Sequence, residues 1–204
     1  MNIVPPSSIP ESTAGQGAAG RDARPATCQS VVSVYPWTPR LRSFTITRPS
    51  AFDFSPGQYA RLGLGDDPRV WRPFSMVSGR HEPCLEFVAA VVADGAFSTH
   101  LQALQPGDPI WLDAASYGFL TVDPLAPGTD LWLLASGTGL GPYLSILQEA
   151  STWTDFRHLI LVHSVRRRDE LIYREAILAL RGEKAPAAPA AQLTAARRAR
   201  LGVE

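Results

Sequence analysis

The feature that most constrains this chain is a change of pattern near Asp123. From residue 28 to about residue 121 the sequence is a series of short runs rich in β-branched and aromatic residues, interrupted every few positions by Pro and Gly. Beyond Asp123 the runs become continuously apolar, and each is followed by a glycine-rich or basic turn and then by apolar residues at helical spacing. The first pattern belongs to antiparallel strands joined by tight turns, the second to βα units built on a parallel sheet. A chain that carries both, in this order, is expected to fold as β followed by α/β.

Six runs in the first part read as strands, at residues 29–35, 41–48, 58–64, 71–78, 84–93 and 110–113. Pro36-Trp37-Thr38-Pro39 reads as the turn between the first two, and Pro56-Gly57, residues 65–68 and residues 79–83 separate the next ones. Six short strands in about a hundred residues suit a small antiparallel barrel. Ser98 reads as the cap of a short helix over 99–104, which Pro106-Gly107-Asp108 ends.

In the second part the run 131–135 has the character of a parallel strand covered on both faces. A glycine-rich turn and a helix over 142–150 follow, then a second run at 159–162, a basic loop at 166–168 and a helix over 169–180. The expected organisation is a flexible leader over 1–27, a six-stranded barrel over 28–123, an incomplete parallel α/β domain over 128–180 and an unstructured tail over 181–204.

Composition excludes several classes of function. Nineteen basic residues balance nineteen acidic ones, so no net field favours nucleic acid or an anionic membrane surface. No apolar stretch approaches the roughly 20 residues that a spanning helix needs, and no basic cluster precedes an apolar run at the start. A cytoplasmic protein is expected. Cys28 and Cys84 are too few for a thiolate-held iron-sulfur cluster and read as buried or half-buried thiols. The histidines at 81, 100, 158 and 163 show no ligand spacing, and no metal is expected.

Four segments carry residues suited to cofactor chemistry. In Arg72-Pro73-Phe74-Ser75 a guanidinium can fork onto a diphosphate, an aromatic two residues on shares its strand face, and a hydroxyl follows. In Gly95-Ala96-Phe97-Ser98-Thr99 the amides of a helix start can hold an anion, while Ser98 serves equally well as a cap. Ser136-Gly137-Thr138-Gly139-Leu140-Gly141-Pro142 lets the backbone close on a nucleotide, with proline in the first helical turn. His163-Ser164-Val165-Arg166 ends the second parallel strand with a cation.

Taken in order, these motifs resemble the bacterial ferredoxin-NADP reductase family, whose nucleotide loop reads G-T-G-x-x-P. The resemblance runs over residues 28–180 and implies FAD on the barrel, held by Arg72, Pro73, Phe74 and Ser75 and by Ala96, Phe97 and Ser98. It implies NADPH at Gly137, Thr138, Gly139, Val165 and Arg166, with Ser75 as the catalytic hydroxyl beside the ring nitrogen that accepts a hydride. FAD is expected rather than FMN because a second anion site suits a diphosphate; NADP rather than NAD follows from the resemblance alone.

Ferredoxin or flavodoxin would then be the electron partner, and a monomer the expected state. Seven arginines against three aspartates between residues 30 and 80 leave a local positive bias for an acidic redox protein. The family usually has Tyr where this chain has Phe74, which keeps a stacking ring and removes a phenol. The family's later βα units, its Cys-Gly-x-Pro loop and its C-terminal segment have no counterpart, so the end of the chain reads as a truncation or a frameshift. The alternatives are a non-enzymatic flavin-binding remnant and the reductase component of an oxygenase.

Overall fold

A computed structural model describes residues 25–64, 70–93 and 95–181. The expected leader up to residue 24, the turn at 65–68 and the expected tail from residue 182 lie outside the described residues.

Six antiparallel strands form one sheet: β1 (Ala26–Thr38), β2 (Leu41–Thr47), β3 (Tyr59–Leu64), β4 (Trp71–Ser75), β5 (Cys84–Ala90) and β6 (Pro109–Tyr117). Their order is β4-β3-β6-β1-β2-β5. The two ends meet where Met76 pairs with Phe87 and the Val77 N–H donates to the Glu86 carbonyl at 2.8 Å, which closes the barrel. Alternate residues point inward, as the pleat requires. Phe44, Ile46, Leu62, Leu85, Phe87 and Leu112 are each at most 1% exposed and fill the interior.

Several boundaries differ from the sequence reading. Pro36 lies inside β1, opposite Arg42, and the turn falls at Pro39-Arg40. A register shift between Pro36 and Thr38 marks a bulge, a place where a strand tolerates a residue without an N–H. β1 is long because its first half pairs with β6 and its second half with β2. Cys28 is exposed rather than buried, and Cys84 is half-buried.

One end of the barrel is closed by α1 (Ala96–Ala103), which buries Phe97 and Leu101, followed by the buried Leu104. Each such burial contributes about 1.5–3 kcal/mol. Arg42 on β2 donates from Nη1 to the carbonyls of Gln102, at 2.7 Å, and Leu101, at 3.4 Å. A cation thus sits at the negative end of the helix and ties it to the barrel. The helix starts at Ala96 with Gly95 at its cap, and Ser98 lies within the first turn. The Ser98 hydroxyl accepts the Val92 N–H at 2.9 Å, so it braces the preceding loop instead of capping.

The second unit holds two parallel strands, β7 (Gly128–Ser136) and β8 (Phe156–Ser164), with α2 (Gly141–Ile146), α3 (Ala150–Asp155) and α4 (Arg174–Ala179). Leu131, Leu133 and Ala135 are buried, whereas Trp132 and Leu134 are about 60% exposed, so β7 is covered on one face only. The continuous apolar run cannot distinguish these cases.

The helix expected over 142–150 breaks after Ile146. Thr152 Oγ1 donates to the Ile146 carbonyl at 3.1 Å and Trp153 Nε1 to that of Leu147 at 2.9 Å, satisfying the last carbonyls of α2 and folding α3 back onto it. The helix expected over 169–180 breaks at Tyr173, which has φ of 55°. The Tyr173 hydroxyl donates to buried Glu86 at 2.5 Å, and its ring lies 4.7 Å from that of Trp37. Anchoring to the barrel overrides helical continuity there.

The two units share an apolar core in which Leu41, Val77 and Val88 of the barrel meet Leu140, Leu144 and Tyr173. Two buried hydrogen bonds cross it: Ser145 Oγ donates to the Ser78 carbonyl at 2.7 Å, and Gln148 Nε2 to that of Val77 at 2.9 Å. Among the described residues no helix is long and apolar enough to cross a membrane.

Candidate functional site

The strand register decides which side chains on β4 face together. Arg72 pairs with Leu62 and Phe74 with Ala60, so guanidinium and ring share one strand face. Ser75 pairs with Tyr59 and projects from the other. The half-buried Phe74 ring lies 5.1 Å from Phe97 and 6.1 Å from Phe44, centroid to centroid, and leaves part of its surface open. Phe97 is the second residue of α1, so this contact holds the start of the helix beside β4.

Arg72 is exposed, and among the described residues its guanidinium donates only to the carbonyl of Trp71, at 3.0 Å. The Ser75 hydroxyl is half-buried and bonds to no described side chain or carbonyl. The N–H groups of Ala96, Phe97 and Ser98 precede the first α-helical bond, from Thr99 N–H to the Gly95 carbonyl at 3.1 Å. The exposed Arg72 guanidinium and the partly open Phe74 ring thus share one face of β4, and Phe74 packs against Phe97 in the first turn of α1, whose leading amides have no helical partners. That donor set fits a flat aromatic ligand carrying a diphosphate.

A second site lies at the carboxyl ends of β7 and β8, where parallel sheets place their ligands. The chain leaves β7 at Ser136 and enters a 3-10 turn over Gly137–Leu140, with Pro142 in the first turn of α2. Gly137 has φ of 54°, a conformation that glycine adopts without strain. Its carbonyl lies 3.0 Å from His163 Nε2 on β8, which pins the loop to the neighbouring strand.

Here a cleft of about 380 Å³ is lined by Ser136, Gly137 and Thr138 on one side and Ser164, Val165 and Arg166 on the other. Of the nucleotide residues expected from sequence, Gly137, Thr138, Val165 and Arg166 line it, and Gly139 does not. Two charged residues were not legible as part of it. Glu170 enters from the 3-10 turn after β8, its Oε2 accepting the Arg166 N–H at 3.2 Å. Arg40 enters from the barrel with Leu41 and Ala90. Arg40 is about a hundred residues from the glycine loop, and no local motif marks it.

The family described as oxidoreductase NAD-binding domain matches residues 133–199. The ferredoxin–NADP reductase of Pseudomonas aeruginosa is 39% identical over 150 residues, which is 73% of this chain and 58% of that protein. The flavodoxin/ferredoxin–NADP reductase of Escherichia coli is 41% identical over 144 residues, 70% of this chain and 58% of that protein. The chain thus spans under three-fifths of the length of these two curated relatives. A crystal structure of the Neisseria gonorrhoeae ferredoxin NADP+ reductase with bound FAD and NADP superposes with a TM-score of 0.73 at 36% identity, covering 78% of this chain and 65% of that one.

Proposed function

We propose that the chain is a member of the ferredoxin-NADP reductase family, an FAD-dependent oxidoreductase that takes a hydride from NADPH and passes single electrons to a ferredoxin or flavodoxin. The observation that supports the reading is the packing of Phe74, on the strand face it shares with Arg72, against Phe97 at the start of α1, together with a cleft of about 380 Å³ between barrel and sheet.

FAD, when bound, supplies the hydride-accepting and electron-releasing chemistry. The residues of this chain bind and orient it. Arg72 and the N–H groups of Ala96, Phe97 and Ser98 hold the diphosphate, and Phe74 offers the face of its ring. Ser75 would offer a bound flavin a hydroxyl that no described residue engages. On the other side Gly137 and Thr138 approach the dinucleotide with backbone and hydroxyl, and Arg166 supplies charge. Gly139 serves the turn rather than the cleft wall.

Anaerobic titration of the FAD-loaded chain with NADPH tests this proposal: loss of the visible flavin bands, and their return on adding oxidised ferredoxin or flavodoxin, is the expected result. Bands unchanged by excess NADPH would refute the reductase reading. Ser75→Ala is expected to leave FAD affinity within about threefold, since no phosphate contact is lost. The same change should slow flavin reduction by about ten- to a hundredfold, the size of a single transition-state hydrogen bond. Stopped-flow absorbance measures both.

A second reading, a flavin-binding module without turnover, is favoured by the uncovered face of β7, where Trp132 and Leu134 stand open. It requires FAD uptake with no response to NADPH.

A further inference from the structure

Arg40 sits in the turn between β1 and β2, and its backbone is held on both sides. Its N–H donates to Thr38 Oγ1 at 3.2 Å, and its carbonyl accepts the Val91 N–H at 2.8 Å. The exposed side chain lines the cleft opposite the Gly137–Thr138 loop and Arg166. No ion pair between a described residue and either Arg40 or the Arg166 guanidinium is present. Glu170, the carboxylate in the same cleft, is engaged by the Arg166 backbone N–H. Two exposed guanidiniums, one from each structural unit, therefore line one cleft with a single carboxylate, and an anion entering between them would accept charge-assisted hydrogen bonds from both.

We propose that Arg40 is a binding residue for the diphosphate of the nicotinamide dinucleotide, clamping it from the barrel side while Arg166 and the glycine loop hold it from the sheet side. The inference rests on the reading of this cleft as the dinucleotide site. The diphosphate is the group assigned because both arginines flank the Gly137–Thr138 backbone, against which a diphosphate is laid in a βα loop of this kind. A contact from the barrel makes dinucleotide binding bridge the two units, in addition to the apolar core that already joins them.

The test compares the FAD-loaded full chain with its Arg40→Gln variant by calorimetric titration with NADP+ and, separately, NAD+. Arg40 is exposed and its backbone bonds do not involve the side chain, so the variant should fold and take up FAD like the parent. Loss of one charge-assisted contact weakens binding about tenfold. Both dinucleotides carry the diphosphate, so an equal weakening for both is expected. Unchanged affinity for both, with the parent binding normally, overturns the role of Arg40 and leaves the dinucleotide site standing. Weakening for NADP+ alone overturns the diphosphate assignment, since only the 2′-phosphate distinguishes the two. A parent chain that binds neither dinucleotide overturns the inference and the reading of the cleft together.

Discussion

Replacing Arg72 by alanine is expected to weaken FAD binding about a hundredfold, a loss of the size set by two charge-assisted hydrogen bonds to a diphosphate. The change should leave the fold intact. Arg72 is exposed on β4, and its guanidinium donates only to the Trp71 carbonyl among the described residues, so little of the barrel depends on it. The partners that remain, the first amides of α1 and the Phe74 ring, account for residual uptake. Arg72→Lys should recover part of the loss, because an ammonium keeps the charge without the planar fork. Titration of FAD fluorescence, with far-ultraviolet circular dichroism as the control for folding, measures both. Equal affinity in parent and Arg72→Ala would remove Arg72 from the site.

The largest effect on stability is expected at Gly57. Ser55-Pro56-Gly57-Gln58 forms a tight turn closed by a 3.0 Å bond from the Gln58 N–H to the Ser55 carbonyl, and Gly57 has φ of 98°. This is the arrangement that demands glycine at the third position of a type II turn. A Cβ at position 57 would also stand 1.8 Å from the backbone oxygen of Leu120. A backbone atom cannot swing aside as a flexible side chain can, so the segment after β6 would have to move away from the start of β3. Backbone strain and steric displacement together cost about 3 kcal/mol or more. For a chain of this size, that lowers the unfolding midpoint by about 6–12 °C in Gly57→Ala. A thermal melt within about 2 °C of the parent would show that the two segments are not held together as described.

Much of the architecture could be read from the residues because its signals are local. The Pro56-Gly57 turn, the six short runs and the change to βα units are written in neighbouring positions, and both the barrel and the two-stranded parallel sheet follow from them. Where the deciding partner lies outside the element in which a residue sits, the reading failed. Pro36 looks like a turn residue until the bulge that receives it is known. Ser98 looks like a helix cap, yet its hydroxyl is drawn to Val92. Tyr173 interrupts an apparently regular helix because Glu86, 87 positions earlier, holds its hydroxyl. The run around Trp132 shows apolarity without showing whether anything covers it.

The candidate sites divide in the same way. Arg72, Phe74, Gly137, Thr138 and Arg166 stand in motifs whose chemistry can be argued from spacing. Arg40 reaches the same cleft only because the β1–β2 turn is packed beside it, and Glu170 only because its carboxylate turns back to the Arg166 amide. The position of Arg40, created by docking one unit on another, leaves no trace in a local pattern.

Equilibrium dialysis of the purified, folded chain against FAD, read by visible absorbance and repeated with FMN, bears most directly on the barrel site. Stoichiometric uptake of FAD, a yellow protein, and clearly weaker uptake of FMN are the results expected if Arg72 and the start of α1 grip a diphosphate. A folded chain that stays colourless, or one that takes FMN as readily as FAD, would contradict that arrangement.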